Sequence, residues 1–166
     1  MIAAPDWLPP LIRLSDYEGD WRSYLDVLYK LFEEDFVNST PEFRGRKLRL
    51  KRYPLSKGKE ATFWHMISEG RDEASRQPDL NRCERLRWVK AVIENAGDPA
   101  VRVWETTRHR ERRICLWLEA QEYLVVLAAR KGYLLPWTAY TVTRDHRKRK
   151  LQTEYEEWQR TQERKG

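Results

Sequence analysis

In this chain of 166 residues, the residues best equipped for chemistry lie in Lys57-Gly58-Lys59-Glu60-Ala61-Thr62-Phe63-Trp64-His65-Met66-Ile67-Ser68. From Lys59 onward Phe63, Met66 and Ile67 fall on one helical face, which leaves Trp64 and His65 directed elsewhere. An imidazole one or two turns from Lys57 and Lys59 is equipped to move a proton beside positive charge, as phosphodiester cleavage requires. Downstream, Arg82 and Arg85 fall close to the apolar stripe of a second helix, where a guanidinium needs an anionic partner from the protein or from a ligand. In Trp137-Thr138-Ala139-Tyr140-Thr141, Thr138 and Tyr140 share one face of a strand, because strand side chains alternate. Imidazole, guanidinium, hydroxyl and phenol together can bind and cleave an RNA phosphodiester without a metal. Each also has a plainer role: a core histidine, an internal ion pair, or a residue that simply suits a strand.

Other chemistries lack their residues. There is no phosphate-cradling glycine loop, no HExxH and no nucleophile elbow, and the three histidines stand too far apart for metal-ligand spacing. No cofactor is expected. Cys83 and Cys115 each sit inside a periodic segment and read as small core residues in a reducing compartment. No apolar run is long enough to cross a bilayer and the N-terminus has no signal-peptide pattern, so a cytoplasmic protein that does not enter the membrane is expected.

The elements that must position these residues follow from periodicity. An extended, proline-bearing lead-in from Ile2 to Arg13 precedes a helix from about Asp20 to Val37, with Trp21, Tyr24, Leu25, Leu28, Leu31 and Phe32 on its apolar face. Arg46 to Tyr53 alternates charged and apolar residues and predicts a half-buried basic strand. After the His65 helix, Glu69 to Pro78 has no periodicity and reads as a loop, either a lid or merely a connection. Asp79 is placed to cap a helix running to about Asn95, with Leu80, Cys83, Leu86, Val89 and Ile93 as its buried stripe. The second half changes period: Val101–Glu105, Arg113–Leu118, Tyr123–Ala128 and Tyr133–Val142 are strand-like and separated by short polar breaks. A last helix from Asp145 towards Gln162 carries Leu151, Tyr155 and Trp158 at helical spacing. The prediction is a single α+β domain over 1–166. In it, N-terminal helices pack on a four-stranded antiparallel meander, joined by the basic strand and a C-terminal helix. Within it, 1–42 is an acidic lead-in and helix, 43–150 the core, and 145–163 the final helix.

Charge is unevenly placed. The net of +6 divides into −6 for residues 1–42, with three basic and nine acidic side chains, and +12 for the rest, with 29 and 17. A basic body suggests a polyanionic partner, nucleic acid first. Arg147, Lys148 and Lys150 crowd the first turns of the last helix, where cations oppose the macrodipole unless an anion such as phosphate sits there. Glu33, Glu34 and Asp35 end the first long helix and either face water or lie against the basic region and compete with RNA.

The sequences KGKEATFWH, RCERLRW and the strand run ending in WTAYTV resemble the Barnase–EndoU–colicin–RelE-like nucleases of phage-related bacterial proteins, over about residues 43–150. That resemblance implies a toxin-like, metal-independent endoribonuclease in which the ribose 2′-hydroxyl attacks the adjacent phosphate. It implies His65 as general base, with Arg85, Thr138 and Tyr140 completing the catalytic set. Lys57, Lys59, Arg82, Arg147, Lys148 and Lys150 would hold the substrate, an RNA for which tRNA is one candidate, and an antitoxin or immunity protein is the implied partner. The alternative is a non-catalytic nucleic-acid-binding or protein-interaction accessory factor.

Overall fold

The computed structural model describes residues 3–166; Met1 and Ile2, where the expected lead-in begins, lie outside the described residues. The lead-in is tied down by its backbone and tryptophan contacts. Trp7 donates its indole N–H to Asp98 at 2.9 Å, Trp88 donates to the Pro9 carbonyl at 2.7 Å, and the Ile12 N–H reaches the Glu84 carbonyl at 3.0 Å.

Helix α1 (Trp21–Phe32) begins at Asp20, whose carboxylate accepts the Ser23 N–H at 3.3 Å. Tyr24, Leu28 and Phe32 recur every four residues and are fully buried. The helix continues as a wider π turn over Glu33–Val37, closed by the Asn38 N–H on the Glu33 carbonyl at 2.7 Å. Here Glu34 and Asp35 meet Arg87, at 2.9 and 3.1 Å, so these carboxylates neutralise a helix arginine and not the basic segment at 46–53.

The expected basic strand is present but short. β1 (Glu42–Phe43) and β2 (Arg46–Lys47) form a two-residue ladder, and Leu48 makes a single parallel bridge to Leu134. It goes no further because Pro136 has no N–H to continue a ladder. The chain turns instead to cap the next helix. In α2 (Ala61–Ile67), the first N–H groups, of Ala61 and Thr62, are taken by the carbonyls of Arg52 and Lys51 at 3.0 and 2.9 Å.

A small pair, β3 (Ser68–Glu69) and β4 (Gln77–Pro78), closes the following loop. Asp79 caps the next helix as expected, its carboxylate accepting the Arg82 N–H at 3.1 Å. The single predicted helix is two, α3 (Leu80–Glu84) and α4 (Leu86–Glu94), broken at Arg85. The carbonyls at the break are engaged from outside, Glu84 by the Ile12 N–H and Arg85 by the Tyr123 hydroxyl at 3.4 Å. Leu80, assigned to the buried stripe, is 47% exposed at the first position of α3, while Cys83, one turn on, is fully buried with Leu86, Val89 and Ile93.

The four strands β5 (Val101–Arg108), β6 (Glu111–Leu118), β7 (Tyr123–Arg130) and β8 (Tyr133–Thr141) form the antiparallel meander in sequence order. Alternation splits their side chains between two cores. Val103, Ile114, Leu116, Val125, Leu127 and Ala139 face the layer that holds α1, α2 and α4. Trp104, Cys115, Trp117, Leu124 and Val126 face Leu151, Tyr155 and Trp158 of α5 (Asp145–Lys165). The sheet therefore lies between two helical layers. Register changes once: Val126 pairs with Thr138 and Leu127 with Pro136, so Trp137 is the extra residue of a β-bulge. Both cysteines are buried free thiols, pushed up to about 12 by burial, which suits core packing and not nucleophilic chemistry.

Candidate nucleic-acid interface

The site is built where α2 and α3 meet the β8 end of the sheet. Because Lys51 and Arg52 supply the caps of α2, the Lys51 side chain is anchored one element away from His65. The Thr62 hydroxyl also accepts the Lys51 N–H at 2.8 Å, which fixes that segment at both its donor and its acceptor. His65 leaves the far side of α2 and is 3% exposed, its ring edge-on to Trp137 with centroids 5.0 Å apart.

Glu73 comes from the loop between β3 and β4 and lies 2.7 Å from His65 Nε2. It also pairs with Lys51 at 3.3 Å, and Arg76 stands 4.0 Å away. Burial drives the His65 pKa below its ordinary value of 6.5, against the pull of Glu73, so the imidazole is neutral at neutral pH. Burial pushes the Glu73 carboxyl up, but the bonds from His65 and Lys51 outweigh it and hold the group below its ordinary 4.5. An ionised carboxylate only accepts, so the shared hydrogen belongs to Nε2.

The loop that presents Glu73 depends on Gly70, which has φ +152°; a Cβ there would meet Arg76 Cα at 2.9 Å and the Ser75 carbonyl at 3.0 Å. Asp72 accepts the Ser75 N–H at 2.9 Å and shapes the turn around Glu73.

Arg82 ties the elements together. Its Nη1 donates to the Ser68 carbonyl at 2.8 Å and to the Thr138 hydroxyl at 3.1 Å, and it stands 3.5 Å from the His65 carbonyl. Its guanidinium lies over the Tyr140 ring, 5.4 Å from the centroid. Thr138 and Tyr140 share a sheet face as the alternation requires, and the Tyr140 oxygen accepts from Arg147 Nη2 at 3.2 Å.

The bulge aims Trp137 into a ring of cations. Arg113, Arg130 and Lys51 lie 4.7, 5.4 and 5.7 Å from its centroid. Glu111 accepts from Arg113 at 2.8 Å and also pairs with Arg130. The Arg113 side chain is 9% exposed, and its Nε, like the Nε of Arg76, is buried without a hydrogen-bond partner. The cluster thus gathers five cations (Lys51, Arg76, Arg82, Arg113 and Arg130) around two carboxylates, Glu73 and Glu111.

Of the residues expected from sequence, His65, Arg82, Thr138, Tyr140 and Arg147 are joined in this network. Arg85 is not; it is engaged with Asn81, Glu84 and Trp88, none of which belongs to the cluster. Lys59 lies over the Tyr29 ring at 5.2 Å, Lys148 pairs with Glu122 at 2.5 Å, and Lys150 is exposed. Lys57 sits in a turn with Gly58, both at positive φ, so the lysines precede α2 and do not belong to it. Sequence reasoning missed Glu73, Lys51, Arg76, Arg113 and Arg130. Arg113 did leave a signal, since it heads an otherwise apolar strand; Glu73, in a segment without periodicity, left none.

Among the described residues no group of three or more His, Cys, Asp or Glu side chains is placed to hold a metal ion, and no helix is long and apolar enough to cross a membrane. Fold and site together define an α+β protein with a cation-rich cluster beside the end strand of its sheet. No family model matches the chain, and neither a curated protein nor a solved structure matches it.

Proposed function

We propose that the cluster binds an RNA phosphodiester and cleaves it by attack of the neighbouring ribose 2′-hydroxyl. The observation that carries this reading is the excess of cations in the cluster, five against the two carboxylates Glu73 and Glu111, of which Glu73 is 38% exposed. A polyanion relieves the mutual repulsion of Lys51, Arg76, Arg82, Arg113 and Arg130. The proton acceptor is Glu73. His65 is almost fully buried and already donates Nε2–H to Glu73, so it orients the carboxylate and feels the reaction through it.

In the reaction the 2′-hydroxyl gives its proton to Glu73 and its oxygen bonds to phosphorus. The bond from phosphorus to the 5′-oxygen breaks, leaving a 2′,3′-cyclic phosphate and a 5′-hydroxyl. Arg82, held by Thr138 and Ser68, faces the charge that grows on the phosphoryl oxygens. Tyr140 accepts from Arg147 and so keeps its own hydrogen free to give to the leaving 5′-oxygen.

Purified protein should cleave RNA in EDTA and leave cyclic phosphate ends. Glu73→Gln should slow cleavage by roughly 10²-fold or more while retaining RNA affinity. Because Glu73 titrates below 4.5, the rate should hold down to about that pH; an acid limb above 4.5 but below 6.5, where burial places the imidazole, would return the role of base to His65. Tight, salt-dependent RNA binding with no product would leave a binding module. The existing partners of Glu73, already 2.7 and 3.3 Å away, favour that second reading.

A further inference from the structure

We propose that the cleft next to the cluster is a nucleobase subsite, taking the base of the nucleotide that adjoins the bound phosphate. This rests on the RNA reading above and names what that reading leaves open, a place for a base. The cleft measures about 540 Å³ and lies between α1, the segment before α2, α2 itself and the loop that carries Glu73. Trp21, Leu25, Leu55, Trp64 and Pro78 supply apolar walls.

Four features select a base over other occupants. The cleft is continuous with the cluster, since Glu73 and Arg76 line it and also belong to the cation network. Trp64 and His65 are consecutive in α2, so one helix step separates the aromatic wall of the cleft from the imidazole that holds Glu73. The Trp64 indole is held in place by its N–H on the Ser56 carbonyl at 3.0 Å, which leaves a fixed aromatic wall for stacking. Finally, Lys57 and Arg76 stand in the cleft against the single carboxylate of Glu73, a balance that suits a ligand carrying phosphate and not a neutral apolar side chain. Leu55, 51% exposed, adds apolar surface to the cleft wall.

The test compares two probes by calorimetry at low salt: a 2′-O-methyl trinucleotide, which cannot be cleaved, and the same molecule lacking its central base. The complete trinucleotide should bind roughly tenfold tighter or more, the usual scale for one stacked base. Trp64→Leu should remove that difference while leaving the affinity of the base-less probe unchanged. Leu55→Asn, at an exposed position that leaves the packing of Trp64 on Phe63 intact, should reduce the difference in the same direction. Arg82→Gln should weaken both probes. Equal binding of the two probes by the wild type, still weakened by Arg82→Gln, would overturn the subsite and leave the RNA reading standing. A base-dependent difference that survives both cleft variants would also overturn it. Binding of neither probe would sink both proposals together.

Discussion

At the scale of single residues, the buried His65 makes the protein acid-sensitive in a defined window. The unfolded imidazole takes up a proton near pH 6.5, while the folded one resists it because burial lowers its pKa. Between those two values the unfolded chain binds more protons, so stability is complete above about pH 6.5 and declines as pH falls through the folded pKa. Glu73, also lowered, acts in the same direction but below 4.5. The melting temperature should therefore fall between pH 7.5 and 5, and His65→Gln should show a shallower fall over that range. Equal pH slopes for the two proteins would mean that His65 titrates alike folded and unfolded. His65 itself was legible in the sequence as a chemical residue beside lysines, but its partner was not. The lysines adjacent in sequence are a turn and a Tyr29 contact, whereas the carboxylate arrives from a loop whose sequence has no period.

At the scale of elements, the loop between β3 and β4 acts through its backbone. Gly70 is the point where an added Cβ would come within 3 Å of Arg76 Cα, at a φ that side chains rarely adopt. Gly70→Ala should push the 71–76 segment away from α2 and separate Glu73 from His65. The expected result is loss of the cleavage proposed for Glu73 with a melting temperature lowered by only a few degrees, since the loop buries little core. Unchanged cleavage in Gly70→Ala would show that the loop geometry is not needed. Element order, the meander, the Asp79 cap and the end of the first helix at Val37 all follow from local patterns, and the structure contains them. The break at Arg85 and the short basic strand do not. Both are decided by distant partners, Ile12 and Tyr123 in one case and the missing N–H of Pro136 in the other, which no window of sequence contains.

At the scale of the whole molecule, the charge asymmetry resolves into distinct roles. Asp35 and Glu34 are spent on Arg87, so the N-terminal acids do not offset the cation cluster. The first turns of α5 extend that cluster through Arg147, which reaches Tyr140, while Lys148 is already neutralised by Glu122. RNA affinity should fall steeply with salt, and the logarithmic slope should lose about 0.7 for each phosphate contact removed. Arg130→Gln and Arg147→Gln should each flatten it by about that amount, and Lys148→Gln should change it less. A slope indifferent to Arg130 and Arg147 would place the polyanion elsewhere. The doubly covered sheet belongs to the same scale: periodicity showed that α5 has an apolar stripe, but only the Trp104–Tyr155 contact, with ring centroids 5.8 Å apart, reveals which face it covers.

Trp137 is a supernumerary residue. Its neighbours Pro136 and Thr138 already stand opposite adjacent positions of β7, so excising it would join them into a regular strand and reverse no other side chain. A chain shortened by that one residue should keep its hairpin register and its two cores, yet lose the aromatic platform that Arg113, Arg130 and Lys51 surround. The sheet, in other words, hosts this tryptophan without needing it: scaffold and platform can be separated by a single deletion.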